Sequence, residues 1–228
     1  MFENYIEREN TIFDILQAFV DAALDFVVVG GYAVSAYKHR FSVDVDVVIE
    51  MHEKTNFEDV LKKEGFVKTI VKVLDHLHAP EFMRYEKKNK LPVSVDLLIG
   101  GIGSRTTGAS FSFDQLKEHS YDIKIIGTEK EVLVQVPKRE VLIVLKLHSG
   151  RLTDFRDIAS LTKNIDLEII ENLIWRGKIE IVKENIGKLI SLLDKKEFMD
   201  SFKGVFMEKK YDIDSNEIKK LEKLLKHN

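Results

Sequence analysis

The stretch from Val27 to Glu50, VVVGGYAVSAYKHRFSVDVDVVIE, constrains this chain most, because it predicts two apolar strands around a Gly-Gly pair. Asp44 and Asp46 stand two residues apart in the second strand, among valines. Successive side chains of a strand point to opposite faces, so both carboxylates are expected on one face. Two neighbouring carboxylates repel each other unless a positive charge lies between them, and hard divalent cations prefer oxygen ligands. The pair therefore predicts metal-dependent chemistry on a phosphate.

A second Asp-x-Asp occurs at Asp212 and Asp214, and about one such pair is expected by chance in a chain of this length. It lies in YDIDSNEIKKLEKLL, where Asp214 or Ser215 is suited to cap a helix whose first turn the acids would stabilise. This second pair thus has a structural explanation. The first pair differs, because an unpaired charge within an apolar run is costly without a compensating ion or base.

Composition narrows the class of protein. With 228 residues, 44% of them apolar, the chain is long enough for one large or two small folded domains. It contains no cysteine, which excludes disulfides, thiolate nucleophiles and cysteine-bound zinc. The first residues, MFENYIEREN, lack the apolar core of a signal peptide, and no apolar run is long enough to span a bilayer. We therefore expect a cytoplasmic protein without a membrane partner.

Periodicity divides the chain near Pro137 into domains predicted at 1–136 and 137–228. The expected fold class is α/β (α+β), a mixed sheet flanked by helices and followed by a helical C-terminal region. In the first domain, helices are predicted at 11–24 behind a Thr11 cap, 32–38 and 56–64, with strands at 26–29, 43–49, 66–73, 81–86, 93–99, 121–126 and 131–136. In the second domain, helices are predicted at 139–147, 155–161, 167–175, 179–193 and 215–225.

A third acid is suited to join the first two. In PVSVDLLIGG, alternate residues from Val93 to Ile99 form an apolar face, which leaves Asp96 on the other face. If this strand pairs beside that of Asp44 and Asp46, the three carboxylates converge and could hold two Mg²⁺ or Mn²⁺ ions about 3.5–4 Å apart. Asp96 would bind the ion on the nucleophile side and could also act as general base. Taken alone, it could equally be a strand-edge acid paired with Lys or Arg.

Gly30 and Gly31 would complement the acids. Without Cβ atoms they let a ligand approach the backbone closely, and they precede a predicted helix whose first amides favour an anion. The pair could also be a simple strand-to-helix turn. A dinucleotide-binding or sugar phosphate-binding protein is an alternative, since Glu50 lies about twenty residues after the glycines. The absence of G-x-G-x-x-G and the shortness of the predicted helix argue against a dinucleotide fold.

The order of these motifs resembles the nucleotidyltransferase superfamily of the DNA polymerase β type. The run GGYAVSAYKHRFSVDVDVVI is most similar to the abortive-infection toxin-like and minimal nucleotidyltransferase branches, and the resemblance covers residues 10–100. It implies that the first domain is catalytic and uses an NTP. It also implies catalytic and metal-binding roles for Asp44, Asp46 and Asp96, and nucleotide-binding roles for Gly30, Gly31, Arg40 and Ser42. From the residues alone, Arg40 and Ser42 could instead cap and salt-bridge around the short helix.

Farther along, VLIVLKLHSGRLTDFRDIASL also resembles the toxin-like branch, in which a helix with Lys precedes an Arg/Lys-Asp segment. By that resemblance, Lys146 would contact nucleotide phosphates, and Asp157, with Arg156 before it, would support the site. A lysine is a suitable point charge for a polyphosphate, although Lys146 could also be a helix-surface residue. The Gly-Gly form departs from the Gly-Ser of many active members and removes a serine hydroxyl that could hold a phosphate.

The implied reaction moves a nucleoside monophosphate from an NTP to a hydroxyl acceptor and releases pyrophosphate. The resemblance suggests RNA such as tRNA, a protein or a small molecule as acceptor. After Pro137 the chain has 19 Lys and Arg against 16 Asp and Glu, an excess that slightly favours RNA. The alternative from another class is an antitoxin-like partner that neutralises a toxin protein by binding or modifying it.

Overall fold

The structure, a computed structural model, describes residues 2–206 and 213–226, except for the side chain of Lys203. The chain forms two compact units, which we call the first and second units. The first unit comprises Met1–Gly103 and Ser110–Pro137, and the second comprises Ser104–Ala109 and Lys138–Asn228. Within the described part of the chain, no helix combines the length and apolar character needed to cross a bilayer.

The first unit is built on one large sheet and a small hairpin. Its strands are β1 Phe26–Val29, β2 Asp44–Ile49, β3 Val67–Val73, β4 Glu81–Lys87, β5 Val93–Ile99, β6 Gly101–Gly103, β7 Ser110–Ser112, β8 Ser120–Ile126 and β9 Glu131–Pro137. The large sheet has the order β3-β4-β5-β2-β1-β9-β8, and β6 pairs with β7. The β2–β5 and β1–β9 pairs are parallel and the remaining pairs are antiparallel. The prediction of a mixed sheet with helices, an α+β fold, is confirmed.

The arrangement of β1 and β2 tests the dinucleotide-binding alternative. β1 and β2 are antiparallel neighbours, with Val29 opposite Asp46. A dinucleotide-binding unit instead needs two parallel strands joined by a full crossover helix. The helix between β1 and β2, α2 Gly30–Ser35, has only six residues. The strands β1 and β2 therefore do not form a dinucleotide-binding unit.

Three more helices belong to the first unit: α1 Phe2–Asp21, α3 Lys54–Lys63 and α4 Phe113–Glu118. The prediction that the first helix begins behind Thr11 is wrong, because α1 already begins at Phe2. The Thr11 hydroxyl donates a hydrogen bond of 2.8 Å to the Glu7 carbonyl, as threonines within a helix often do. Thr11 is thus an interior helix residue and not a cap.

The core of the first unit explains why α1 continues so far. Ile12, Leu16 and Phe19, spaced at three and four residues along α1, are fully buried. Phe19 meets Phe57 of α3 edge to face, with 4.8 Å between ring centroids. The apolar residues of β2 and β5 that face away from Asp44 and Asp46 are likewise buried. This packing holds the strands that carry the acids.

The second unit is helical in its described part. Its helices are α5 Arg139–Ser149, α6 Leu152–Leu161, α7 Leu167–Ile174, α8 Ile179–Leu192, α9 Lys196–Phe206 and α10 Ser215–Lys219, which continues as the 3-10 helix Lys220–Lys226. The Asp214 carboxylate accepts a hydrogen bond from the amide of Asn216 and caps α10, as predicted. Its companion in the sequence, Asp212, lies outside the described residues.

Helix α9 was not predicted, although its sequence held the signal. Phe198, Phe202 and Phe206 recur every four residues, and all three are buried. The Phe198 and Phe202 ring centroids are 5.1 Å apart, and those of Phe202 and Phe206 are 5.9 Å apart. The spacing of aromatic residues on one helical face was therefore sufficient to indicate α9.

Candidate active site

The first two acids lie where the alternation of β2 predicts. Asp44 and Asp46 are half-buried on one face of the strand, whereas Val45 and Val47 are fully buried on the other. This arrangement follows directly from the period of two in an extended chain. The two carboxylates therefore share a rigid, partly solvated support.

The third acid lies on the neighbouring strand. β5 pairs with β2 in parallel, and the register places Asp96 beside Asp46, with Ser94 beside Asp44. Residues paired across two strands share a face, so Asp44, Asp46 and Asp96 all project from the same side of the sheet. Asp96 is 3% exposed, which makes it the most buried of the three. The strand pairing on which the three-acid site depends is thus present.

The alternative in which Asp96 pairs with a Lys or Arg is met by Arg84, a residue that the sequence analysis did not identify. Arg84 lies opposite Asp96 in the antiparallel β4–β5 pair. Its Nε and Nη2 each donate a hydrogen bond of 2.7 Å to Asp96, one to each carboxylate oxygen. Nη2 also donates to Asp44 over 3.3 Å. Alternation in β4 could have placed Arg84 on one face, but only the pairing of β4 with β5 brings it to Asp96.

The electrostatics of Asp96 show how much this carboxylate depends on a cation. Burial raises the pKa of Asp96, the Arg84 guanidinium works against that change, and the charges of Asp44 and Glu86 add to the rise in pKa. The hydrogen bonds from Arg84 to Asp96 raise the pKa of the guanidinium, which stays charged. The pKa of Asp96 lies above its usual value, so the Arg84 guanidinium offsets only part of the effect of burial and of the neighbouring carboxylates.

Gly30 and Gly31 bring the remaining predicted residues of the first unit to this face. Gly30 has φ +66°, and a Cβ added there would collide with the Asp46 carboxylate. A Cβ on Gly31 would collide with Ser42 and would approach Arg40 Nη2 to 2.9 Å. The glycine turn thus packs directly against Asp46 on one side and against Arg40 and Ser42 on the other.

The segment with Arg40 and Ser42 is held by local hydrogen bonds. The Ser35 hydroxyl accepts from the Arg40 amide over 3.0 Å and donates to the Arg40 carbonyl over 2.9 Å. His39, just before it, shares a 2.8 Å hydrogen bond with Glu9 of α1. Glu9 also accepts a hydrogen bond of 2.7 Å from the Thr128 amide. Helix α1 therefore anchors the start of this segment.

Comparison with solved structures identifies the fold. The chain matches a proposed nucleotidyltransferase from Helicobacter pylori with 19% identity and a TM-score of 0.51, covering 99% of both chains. It matches JHP933, also from Helicobacter pylori, with 17% identity and a TM-score of 0.50, covering 98% of this chain and 92% of that one.

The chain has the nucleotidyltransferase fold. The resemblance read from the motifs is confirmed at this level, while the branch within the superfamily stays a prediction. The lincosamide antibiotic adenylyltransferase LnuA, solved with lincomycin, matches at 18% identity and a TM-score of 0.47, covering 69% of this chain and 98% of its own. No family model and no curated protein matches the sequence.

Two predicted residues, Lys146 and Asp157, lie in the second unit, where they pair with each other. Lys146 Nζ lies 2.6 Å from an Asp157 oxygen and 3.2 Å from an oxygen of Asp154. All three side chains are buried. Asp154 also accepts hydrogen bonds from Arg151, and the sequence analysis had not singled out either residue. Lys146 is thus an interior lysine and not a helix-surface residue.

Asp44, Asp46 and Asp96 fit a magnesium or manganese site in donor type. Their oxygens are the ligands that hard cations prefer, and Arg84 shows that two of them already share a positive charge. Across residues 2–206 and 213–226, however, no three acidic or histidine side chains are arranged as a metal site.

Proposed function

We propose that this protein transfers a nucleoside monophosphate from an NTP to a hydroxyl acceptor and releases pyrophosphate. The observation that supports the proposal best is the register of β2 and β5, which places Asp46 beside Asp96 and next to Gly30. Asp44 projects from the same face. Three carboxylates at a glycine turn have a use in phosphate chemistry, whereas a binding module has no need of so repulsive a cluster.

Asp44, Asp46 and Asp96 would hold Mg²⁺ or Mn²⁺, which would neutralise charge on the triphosphate and lower the pKa of the attacking hydroxyl. In the transfer, the acceptor oxygen bonds to the α-phosphorus. The bond between the α-phosphorus and the oxygen that bridges it to the β-phosphorus breaks. Pyrophosphate leaves, and the hydroxyl proton passes to a nearby base, a role predicted for Asp96. A rigid sheet would support an in-line displacement, because it would hold the three acids in a fixed geometry.

The remaining predicted residues would bind the nucleotide. Gly30 and Gly31 let the backbone of the turn lie close to Asp46, and Arg40 and Ser42, which lie against the same turn, would donate hydrogen bonds to the phosphates. Lys146 and Asp157 are assigned to the nucleotide by resemblance to the family, and their assignment stays a prediction. Because Lys146 is neutralised by two buried carboxylates, its direct contact with a phosphate would require that cluster to rearrange.

The acceptor is RNA, a protein or a small hydroxyl compound in this proposal, with RNA favoured by the modest basic excess after Pro137. Each of the four α-³²P-labelled NTPs should be incubated with the protein, Mg²⁺ and, separately, total RNA, total protein and a small-molecule extract. We expect label in one fraction and an equal amount of pyrophosphate. EDTA should abolish both signals, because it removes the proposed ions.

Variants of the acids test whether nucleotide transfer depends on them. Asp44→Asn and Asp96→Asn should lose transfer while keeping the circular dichroism spectrum of the wild type. If no nucleotide labels any fraction and no pyrophosphate is released, the enzymatic proposal is wrong. In that case, capture of a toxin protein by the unlabelled chain would favour the antitoxin-like alternative.

A further inference from the structure

Arg84 lies between two of the carboxylates that the proposed function assigns to a metal ion. Its guanidinium bridges Asp96, to which it donates two hydrogen bonds of 2.7 Å, and Asp44, at 3.3 Å. Carboxylates that approach one another closely must share a positive charge. Arg84 supplies that charge from within the chain.

The burial of Asp96 shows why its carboxylate needs a positive charge nearby. The Asp96 side chain is 5% exposed, so its charge is poorly solvated without a partner. The side chains of Arg84 and Asp44 are 29% and 35% exposed, so this part of the cluster is in contact with water. Arg84 can therefore leave the bridge on the solvent side, provided that another cation replaces it at Asp96.

We propose that Arg84 is a built-in counter-cation that competes with the divalent metal for Asp44 and Asp96. The inference rests on the proposed function and adds Arg84 to it as a residue that contacts the acids and then the nucleotide. When metal and nucleotide bind together, Asp44 and Asp96 would hold the metal, and the Arg84 guanidinium, released from them, would pair with the triphosphate. Metal alone offers the guanidinium no such anion, so metal and nucleotide bind cooperatively through Arg84.

The test measures Mn²⁺ binding without turnover, from the loss of the free-ion electron paramagnetic resonance signal. In the absence of nucleotide, Arg84→Met should bind Mn²⁺ about tenfold more tightly than the wild type, because a competing charge-assisted pair is gone. An α,β-methylene NTP analogue should tighten Mn²⁺ binding about tenfold more in the wild type than in Arg84→Met. Arg105→Gln, which removes the charge of an exposed arginine, is the control and should match the wild type in both titrations.

A second measurement uses the wild type alone, in case Arg84→Met does not fold. The Nε–H resonance of Arg84 should exchange slowly with water in the protein without metal, because it is bonded to Asp96. Saturating Mg²⁺ with the nucleotide analogue should shift this resonance and speed its exchange. An Nε–H resonance that stays unchanged while Mg²⁺ and nucleotide bind overturns the competition.

The outcomes separate this inference from the function on which it rests. If wild type and Arg84→Met bind Mn²⁺ equally well and the wild type transfers nucleotides, only the role of Arg84 is refuted. If Arg84→Met loses Mn²⁺ binding, Arg84 orients the acids and does not compete with the metal. If the wild type binds no Mn²⁺ with or without nucleotide, both the inference and the proposed metal-dependent function fail.

Discussion

Each unit contains a cation held between two carboxylates, and the two clusters differ in exposure. In the first unit, Arg84 bridges Asp44 and Asp96, and its side chain is 29% exposed. In the second unit, Lys146 lies between Asp154 and Asp157, with side-chain exposures of 8%, 1% and 2%. The same pairing of charges is therefore partly open to solvent in one place and sealed in the other.

The difference in exposure indicates different uses. A buried ion pair that loses one partner leaves an uncompensated charge in the interior, so its members cannot exchange partners freely. A half-exposed cation can be replaced, because water and an incoming ion reach it. We infer that the sheet cluster around Arg84 is suited to bind ligands and that the helical cluster around Lys146 mainly stabilises the second unit.

Removal of one acid from the sheet face should have the largest effect on activity. Asp46→Asn keeps the size of the side chain and removes its charge, so nucleotide transfer should fall at least about 10³-fold. Initial rates of pyrophosphate release measure the loss. Asp214→Asn is the matched control, because Asp214 caps α10 and asparagine caps equally well. Full activity in a folded Asp46→Asn protein would remove Asp46 from the site.

Removal of the cation from the buried cluster should have the largest effect on stability. Lys146→Met leaves Asp157 without its lysine in the interior, so the free energy of unfolding should fall by about 3–5 kcal/mol. Urea unfolding followed by circular dichroism gives the value. Lys188→Met, which removes an exposed lysine paired with Glu184, should cost at most about 0.5 kcal/mol. Equal losses in the two variants would mean that burial does not distinguish the clusters.

The glycine turn tests whether the sheet cluster is sensitive to position. Gly30 and Gly108 both have positive φ, so replacing either one with alanine should destabilise the folded state by about 1–2 kcal/mol through backbone strain. Only at Gly30 does the new methyl group collide with Asp46, whereas the space around Gly108 is open. Gly30→Ala should therefore lower the transfer rate about 10²-fold and Gly108→Ala should not. Comparable rates in the two variants would show that Asp46 tolerates displacement.

The pH dependence of stability gives the smallest expected effect. Burial raises the pKa of Asp154, but Arg151 and Lys146 outweigh it and hold that pKa below its usual value of 3.8. A carboxylate with a lowered pKa in the folded state stabilises the fold above pH 3.8 and loses that contribution as the pH falls through the lower folded value. The urea midpoint of the wild type should therefore fall as the pH is lowered from 5 to 2, and that of Asp154→Asn should fall less steeply. The same decrease in both proteins would argue that Asp154 is not held ionised by the cluster.

Local patterns predicted the mixed α+β fold and most of its helices and strands. They misplaced the start of α1, because a threonine inside a helix and a threonine at its cap look alike in sequence. They did not indicate α9, although its three phenylalanines have helical spacing. The motifs also led to the nucleotidyltransferase fold, which the solved structures support.

For the candidate site, what could be predicted depended on how far apart the residues lie in sequence. The shared face of Asp44 and Asp46 was predictable, since both lie on one strand. Arg84 was not, because its role depends on the pairing of β4 with β5. The burial of Lys146 between two carboxylates was equally hidden, since helix packing and not helix spacing decides it.

The sequence by itself determined which side chains share a face of their own strand and where glycines permit a left-handed turn, because these are local properties of the backbone. Only the tertiary structure decided that Asp96 lies beside Asp46 and that Arg84 bridges Asp96 to Asp44. The physical reason is that hydrogen bonding between strands distant in sequence sets both the neighbour and the register, and a shift of one residue would turn the acids to the opposite face.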